Sequence, residues 1–81
     1  MPAIIEIYTK PNCHLCDIAK AKLNSLRSEV RFDIFEIDIT QSAVLLEKYE
    51  NSIPVILLNG EIFSKFDVNI EELKSKINNL N

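Results

Sequence analysis

An α/β fold of element order βαβαββα is what this sequence predicts, with a four-stranded mixed sheet and helices on both of its faces. Three observations point there. Two β-rich runs are each followed by a segment with helical periodicity, the dipeptide Asn59-Gly60 joins two apolar runs, and an amphipathic segment closes the chain. Strand and helix patterns that alternate in this way pack as a sheet covered on both sides.

The elements follow in order. Ile4, Ile5, Ile7 and Tyr8 make a short strand that stops at Thr9-Lys10-Pro11-Asn12, where Pro and Asn form a turn and Asn12 is placed to cap a helix. From Cys13 to about Ser28, Leu15, Ile18, Ala19, Leu23 and Leu26 recur at three- and four-residue steps, the mark of an amphipathic helix. Phe32, Ile34, Phe35, Ile37 and Ile39, interleaved with Arg31, Asp33, Glu36 and Asp38, predict a second strand ending near Asp38. Thr40 is the expected cap of a helix over Gln41 to Tyr49, buried through Leu45 and Tyr49 with either Val44 or Leu46. Ile53 to Leu58 is almost wholly apolar, and Asn59-Gly60 before Glu61-Ile62-Phe63 predicts a tight hairpin. Asn69 with Glu72 three residues on reads as a capping box for a last helix buried through Ile70, Leu73, Ile77 and Leu80.

With 81 residues the chain is expected to form a single domain over 1–81, and 47% hydrophobic with 26% charged residues is a globular composition. A net charge of −3 with scattered Lys and Arg argues against nucleic acid as a partner. Met1-Pro2-Ala3 runs straight into the first strand without a basic leader, and no apolar stretch is long enough to span a membrane, so a cytoplasmic location is expected.

Only two cysteines are present, Cys13 and Cys16, too close in sequence to staple a useful loop. Placed where the first strand hands over to the first helix, Cys13 meets unpaired backbone N–H groups and the positive end of the helix dipole, which lowers a thiol pKa. The thiolate is the attacking species in disulfide exchange, and a second thiol one helical turn away can resolve the product. Cys13 is therefore the candidate nucleophile and Cys16 the resolving thiol. Lys10 and His14 can add positive charge nearby, whereas Asp17, four residues on, would oppose ionisation if its carboxylate pointed the same way, so the net direction stays open in the sequence. An intramolecular zinc site would need four ligands, and the chain has one His and no further Cys, so no metal site is expected. A pair of buried structural thiols is the other alternative, against which the turn at Pro11-Asn12 speaks. Phe63 and Phe66 border the possible thiol-binding region, but aromatic residues in such a small strand–loop segment are more often core. Pro54, at the start of an apolar run, marks either an edge or an unusual bond geometry.

Three residue groups in this order, Tyr8 to Cys16, Ile53-Pro54-Val55 and Asn59-Gly60, resemble the glutaredoxin-like branch of the thioredoxin superfamily. The resemblance spans nearly the whole chain and implies a minimal thioredoxin fold. It implies further that Ile53-Pro54 is cis and lies beside Cys13, leaving the Ile53 backbone free to pair with an extended thiol peptide, and that Lys10 sits where a lysine meets the glutathione carboxylate. Departures are also visible. His14-Leu15 stands between the cysteines where glutaredoxins carry Pro-Tyr or Pro-Phe, and Ser64-Lys65-Phe66-Asp67 replaces a Gly-Gly-x-Asp cradle of which only Asp67 matches. Thioredoxins differ too, with Trp around the pair and a buried carboxylate where this chain has Ile7. The short glutaredoxin-like proteins with a Cys-His-Leu-Cys site are the better likeness.

The expected activity is thus thiol–disulfide oxidoreduction through Cys13 and Cys16, with Lys10, His14, Ile53, Pro54 and Asp67 as thiol-binding residues. No tightly bound cofactor is expected, glutathione being the candidate co-substrate. The expected partners are a disulfide-containing protein or small thiol and a donor, either glutathione or a thioredoxin reductase-type enzyme, for a monomer. Two other readings stay open at this point: a carrier in which two subunits share a metal or iron–sulfur cluster through Cys13, and a peptide-binding module without turnover.

Overall fold

Strict alternation between buried and open positions builds the first strand. In the computed structural model, which describes residues 3–80, β1 (Ala3–Thr9) buries Ala3, Ile5, Ile7 and Thr9 on one face and leaves Ile4 exposed on the other. The reading of Met1 and Pro2 as lacking a basic leader lies outside the described residues.

The expected order βαβαββα is observed. After β1 come α1 (His14–Leu26), β2 (Phe32–Asp38), a one-turn 3-10 helix (Ile39–Gln41), α2 (Ala43–Tyr49), β3 (Val55–Leu58), β4 (Glu61–Lys65) and α3 (Ile70–Leu80). The sheet runs β2-β1-β3-β4, with β2 parallel to β1 and the other two pairings antiparallel. A parallel β1–β2 pair requires a crossover, which α1 provides, whereas β3 and β4 need only the Asn59-Gly60 turn. There Asn59 and Gly60 adopt φ of 51° and 87°, the left-handed pair that matches the strand twist, and Asn59 Oδ1 accepts the Ile4 N–H at 2.8 Å.

Apolar side chains collect on both sides of this sheet. Ala19, Leu23 and Leu26 of α1 and Leu73 and Ile77 of α3 cover Ile5, Ile7 and Ile56, while Tyr49 of α2 packs with Ile39, Ile53, Val55 and Leu57 on the opposite side, joined by Cys16. At about 25 cal/mol per Å² of apolar surface, full burial of each such side chain contributes roughly 1.5–3 kcal/mol. None of the described helices is long and apolar enough to cross a membrane.

Several local expectations are corrected. Cys13, not Asn12, is the N-cap of α1; Asn12 instead takes φ of 60° in the preceding turn, a conformation Asn tolerates well. The buried stripe of α1 is Cys16-Ala19-Leu23-Leu26, and Leu15 and Ile18, one step round the helix, are exposed. Thr40 caps nothing: Asp38 accepts its N–H at 2.9 Å to cap the 3-10 turn, and Ser42 caps α2 by accepting the Leu45 N–H at 3.3 Å. That shift by two residues turns Val44 outward to solvent and leaves Leu45, Leu46 and Tyr49 to face the sheet. Asn69 does cap α3, accepting the Glu72 N–H at 3.1 Å, but Leu80 in the last turn is exposed beyond the sheet. Phe66 is also exposed rather than part of the core.

Candidate active site

β1 delivers the chain to the end of the sheet at Thr9, and the turn through Asn12 reverses it into α1, so the helix begins above the strand ends. Cys13 occupies the cap position with extended backbone (φ −104°, ψ 104°), and its Sγ accepts the Cys16 N–H at 3.2 Å. One of the donors left unpaired in the first turn is thereby aimed at sulfur, while the Cys13 carbonyl accepts the Asp17 N–H at 3.1 Å as the first helical bond. Negative charge on Sγ is favoured by that donor and by the helix dipole.

The two cysteines differ in burial. Cys13 is half-buried, whereas Cys16 is 1% exposed and packed among Ile39, Tyr49, Ile53 and Val55. They are joined as a disulfide, with Cα atoms 5.2 Å apart, inside the ordinary range.

The other sequence-derived site residues fall in two groups. Ile53 and Pro54 are buried, the bond between them is cis, and Ile53 shares the apolar cluster against which Cys13 packs. Lys10 and His14 flank the dithiol from exposed positions. Asp67 stands apart from them: its carboxylate accepts from Lys22 Nζ at 2.8 Å, on the third turn of α1. That hydrogen bond, with the Val68 N–H, holds the Asp67 carboxyl below its ordinary value.

Tyr8 was outside the candidate set. Its ring centroid lies 5.0 Å from that of Tyr49, and burial, with Glu6 and Tyr49 nearby, pushes its phenol pKa up. It stays neutral at physiological pH and packs against the same cluster as Cys13. Leu15 and Phe66, which the sequence reading placed in the core, are both exposed.

Fold and dithiol together define a thioredoxin-fold protein with a Cys-x-x-Cys pair at the head of its first helix. A family model described as Glutaredoxin-like domain (DUF836) matches residues 4–78, and the chain belongs to that family. Uncharacterized proteins of Mycobacterium tuberculosis and Mycobacterium bovis are 30% identical over 78 residues, covering 90% of this chain and 80% of theirs. Among solved structures, a protein of Nitrosomonas europaea superposes with a TM-score of 0.83 at 20% identity, over 95% of this chain and 93% of that one. A thioredoxin of Fasciola hepatica gives 0.64 at 21% identity, over 99% and 82% respectively, so the likeness to both is one of fold.

Proposed function

We propose that this chain is a dithiol oxidoreductase that reduces disulfides, with Cys13 as nucleophile and Cys16 as resolving thiol. The observation that carries the reading is the Cys13 Sγ at the helix cap, on a residue only partly buried and accepting the Cys16 N–H at 3.2 Å, with Cys16 fully buried behind it. In the reduced protein the Cys13 thiolate attacks one sulfur of the substrate disulfide. The substrate S–S bond breaks, one thiolate leaves and takes up a proton, and a mixed disulfide remains on Cys13. Cys16 then loses its proton and attacks Cys13 Sγ, releasing the second substrate thiolate and forming the internal disulfide. Two electrons and two protons have passed to the substrate. Two glutathione molecules, themselves oxidised to a disulfide, or a reductase dithiol return them to the protein.

Reduction of a fluorescent mixed-disulfide peptide tests the assignment. Cys13→Ser is expected to fall to the uncatalysed rate, and Cys16→Ser to accumulate a covalent adduct on Cys13 detectable by mass. Turnover by the Cys13→Ser protein at the wild-type rate overturns the reading.

A further inference from the structure

The two edges of the sheet are protected unequally. Strand order leaves β2 and β4 each with one side paired and one side open. β4 is five residues long, its pairing with β3 slips between Ile56 and Leu57 so that Phe63 has no partner, and it ends on Lys65. A short strand, a bulge and a lysine all keep an edge from recruiting another strand. β2 has none of these. Its seven residues, Phe32 to Asp38, match β1 in unbroken register from Ala3 to Thr9, without Pro, Lys or bulge, and no backbone hydrogen bond reaches its outer side among the described residues.

The register also sorts the β2 side chains by face. Ile37 stands beside Tyr8 and Phe35 beside Glu6, so Asp33, Phe35 and Ile37 lie on the α2 face, whereas Glu36 lies on the α1 face. Phe35 is 54% exposed, because the seven-residue α2 clusters with Tyr8, Val55 and Leu57 and stops short of this edge. Open N–H and C=O groups can hold an extended backbone, and Phe35 beside them can hold one of its side chains.

Charge selects the occupant. β2 carries three carboxylates, Asp33, Glu36 and Asp38, and no basic residue. Lys20 Nζ neutralises Glu36 at 2.8 Å, and Asp38 accepts the Thr40 N–H and hydroxyl at 2.9 and 2.6 Å. Asp33 has no ion pair among the described residues, and neither has Glu6 next to Phe35 on β1. Arg31 precedes the strand, and Lys65 stands on the far edge of the sheet, three strand spacings or about 14 Å away. Pairing β2 with β2 of a second copy sets three carboxylates against three with no lysine or arginine in either strand, which disfavours that partner.

We propose that the outer edge of β2 binds an extended, basic protein segment as a fifth strand, with apolar side chains against Phe35 and Ile37 and a Lys or Arg two residues beyond them, opposite Asp33. The site uses neither sulfur of the dithiol and goes beyond the oxidoreductase reading.

The fluorescein-labelled peptide Lys-Thr-Val-Thr-Val-Thr-Lys, which has the required spacing in either strand direction, is the probe. By fluorescence anisotropy it is expected to bind the wild-type protein about tenfold tighter than Glu-Thr-Val-Thr-Val-Thr-Glu. Of two further Lys peptides, N-methylated on the odd or on the even residues, one should lose binding, because one of them blocks the edge that meets β2. Asp33→Lys should bring the Lys-to-Glu preference toward one, and Glu71→Lys, the same change of charge on α3, should leave it intact. Absence of saturable binding of the Lys peptide, equal affinity for the Lys and Glu peptides, undiminished binding of both N-methylated forms, or equal losses in Asp33→Lys and Glu71→Lys overturns the proposal. A dimer in sedimentation that Phe35→Ser dissociates puts a second copy on the edge and overturns it as well.

Discussion

The two ends of the sheet solve the same backbone problem with different residues. At the hairpin end, Asn59 and Gly60 take positive φ, and both belong to the residue types that do so at low cost. At the dithiol end, Asn12 and Phe66 also take positive φ, and only Asn12 suits it. The hairpin end is built for stability, with Asn59 Oδ1 tying down the Ile4 N–H as well. The dithiol end carries a strained aromatic residue, exposed apolar side chains and a sulfur that caps a helix in place of a better capping group. Stability is relinquished where the reacting groups lie, which is where a strained residue has something to do.

The largest effect expected from this contrast separates activity from folding. Serine is a preferred N-cap, so Cys13→Ser should lose turnover altogether while its urea-unfolding free energy stays within about 0.5 kcal/mol of the reduced wild type. Loss of stability together with activity would mean that Cys13 is structural.

At the other end the signs reverse. Beyond its chain neighbours, nothing lies within 4 Å of a Cβ built on Gly60, so Gly60→Ala adds backbone strain without a clash, and a destabilisation of about 1–2 kcal/mol is expected with the disulfide-reduction rate unchanged. Asn59→Ala removes the bond to the Ile4 N–H and should cost about 1 kcal/mol, read in the same unfolding experiment. Slower turnover in either variant would show that the two ends are coupled.

The smallest effect concerns pH. Asp67 has a folded-state pKa below its ordinary value of 3.8, chiefly through the hydrogen bond from Lys22. Its contribution to stability is therefore present above that ordinary value and is lost as the pH falls through the lowered one. Asp67→Asn should lower stability slightly near pH 7 and converge with the wild type at the acid end, flattening the acid limb of the stability curve, which urea unfolding from pH 2 to 7 can measure.

How much was legible in the sequence follows the same division. The β-rich run from Ile4 to Tyr8, the Asn59-Gly60 turn and the Asn69 cap are short-range codes, and each produced the structure it encodes. Cys13 and Cys16 were legible because a dithiol at a strand–helix junction has few other uses. Caps chosen among adjacent candidates were not: Asp38, Thr40 and Ser42 are all good cap residues, and tertiary packing of Ile39 and Tyr49 decided between them. Leu15 and Ile18 were misplaced because periodicity registers an apolar residue without revealing whether anything packs on it, and Phe66 because an aromatic side chain in a small strand–loop segment is more often core. Phe66 in particular carries no sequence mark of its left-handed backbone, since glycine or asparagine is the residue that signals one.

Alkylation of the reduced protein by iodoacetamide as a function of pH, followed site by site in the mass spectrum, addresses the central claim that the helix cap holds Cys13 ready as a thiolate. The Cys13 rate should titrate with an inflection clearly below the value of about 8.5 for a free cysteine, with Cys16 modified far more slowly. An inflection for Cys13 at or above that value, or equal rates at the two sulfurs, would contradict the account.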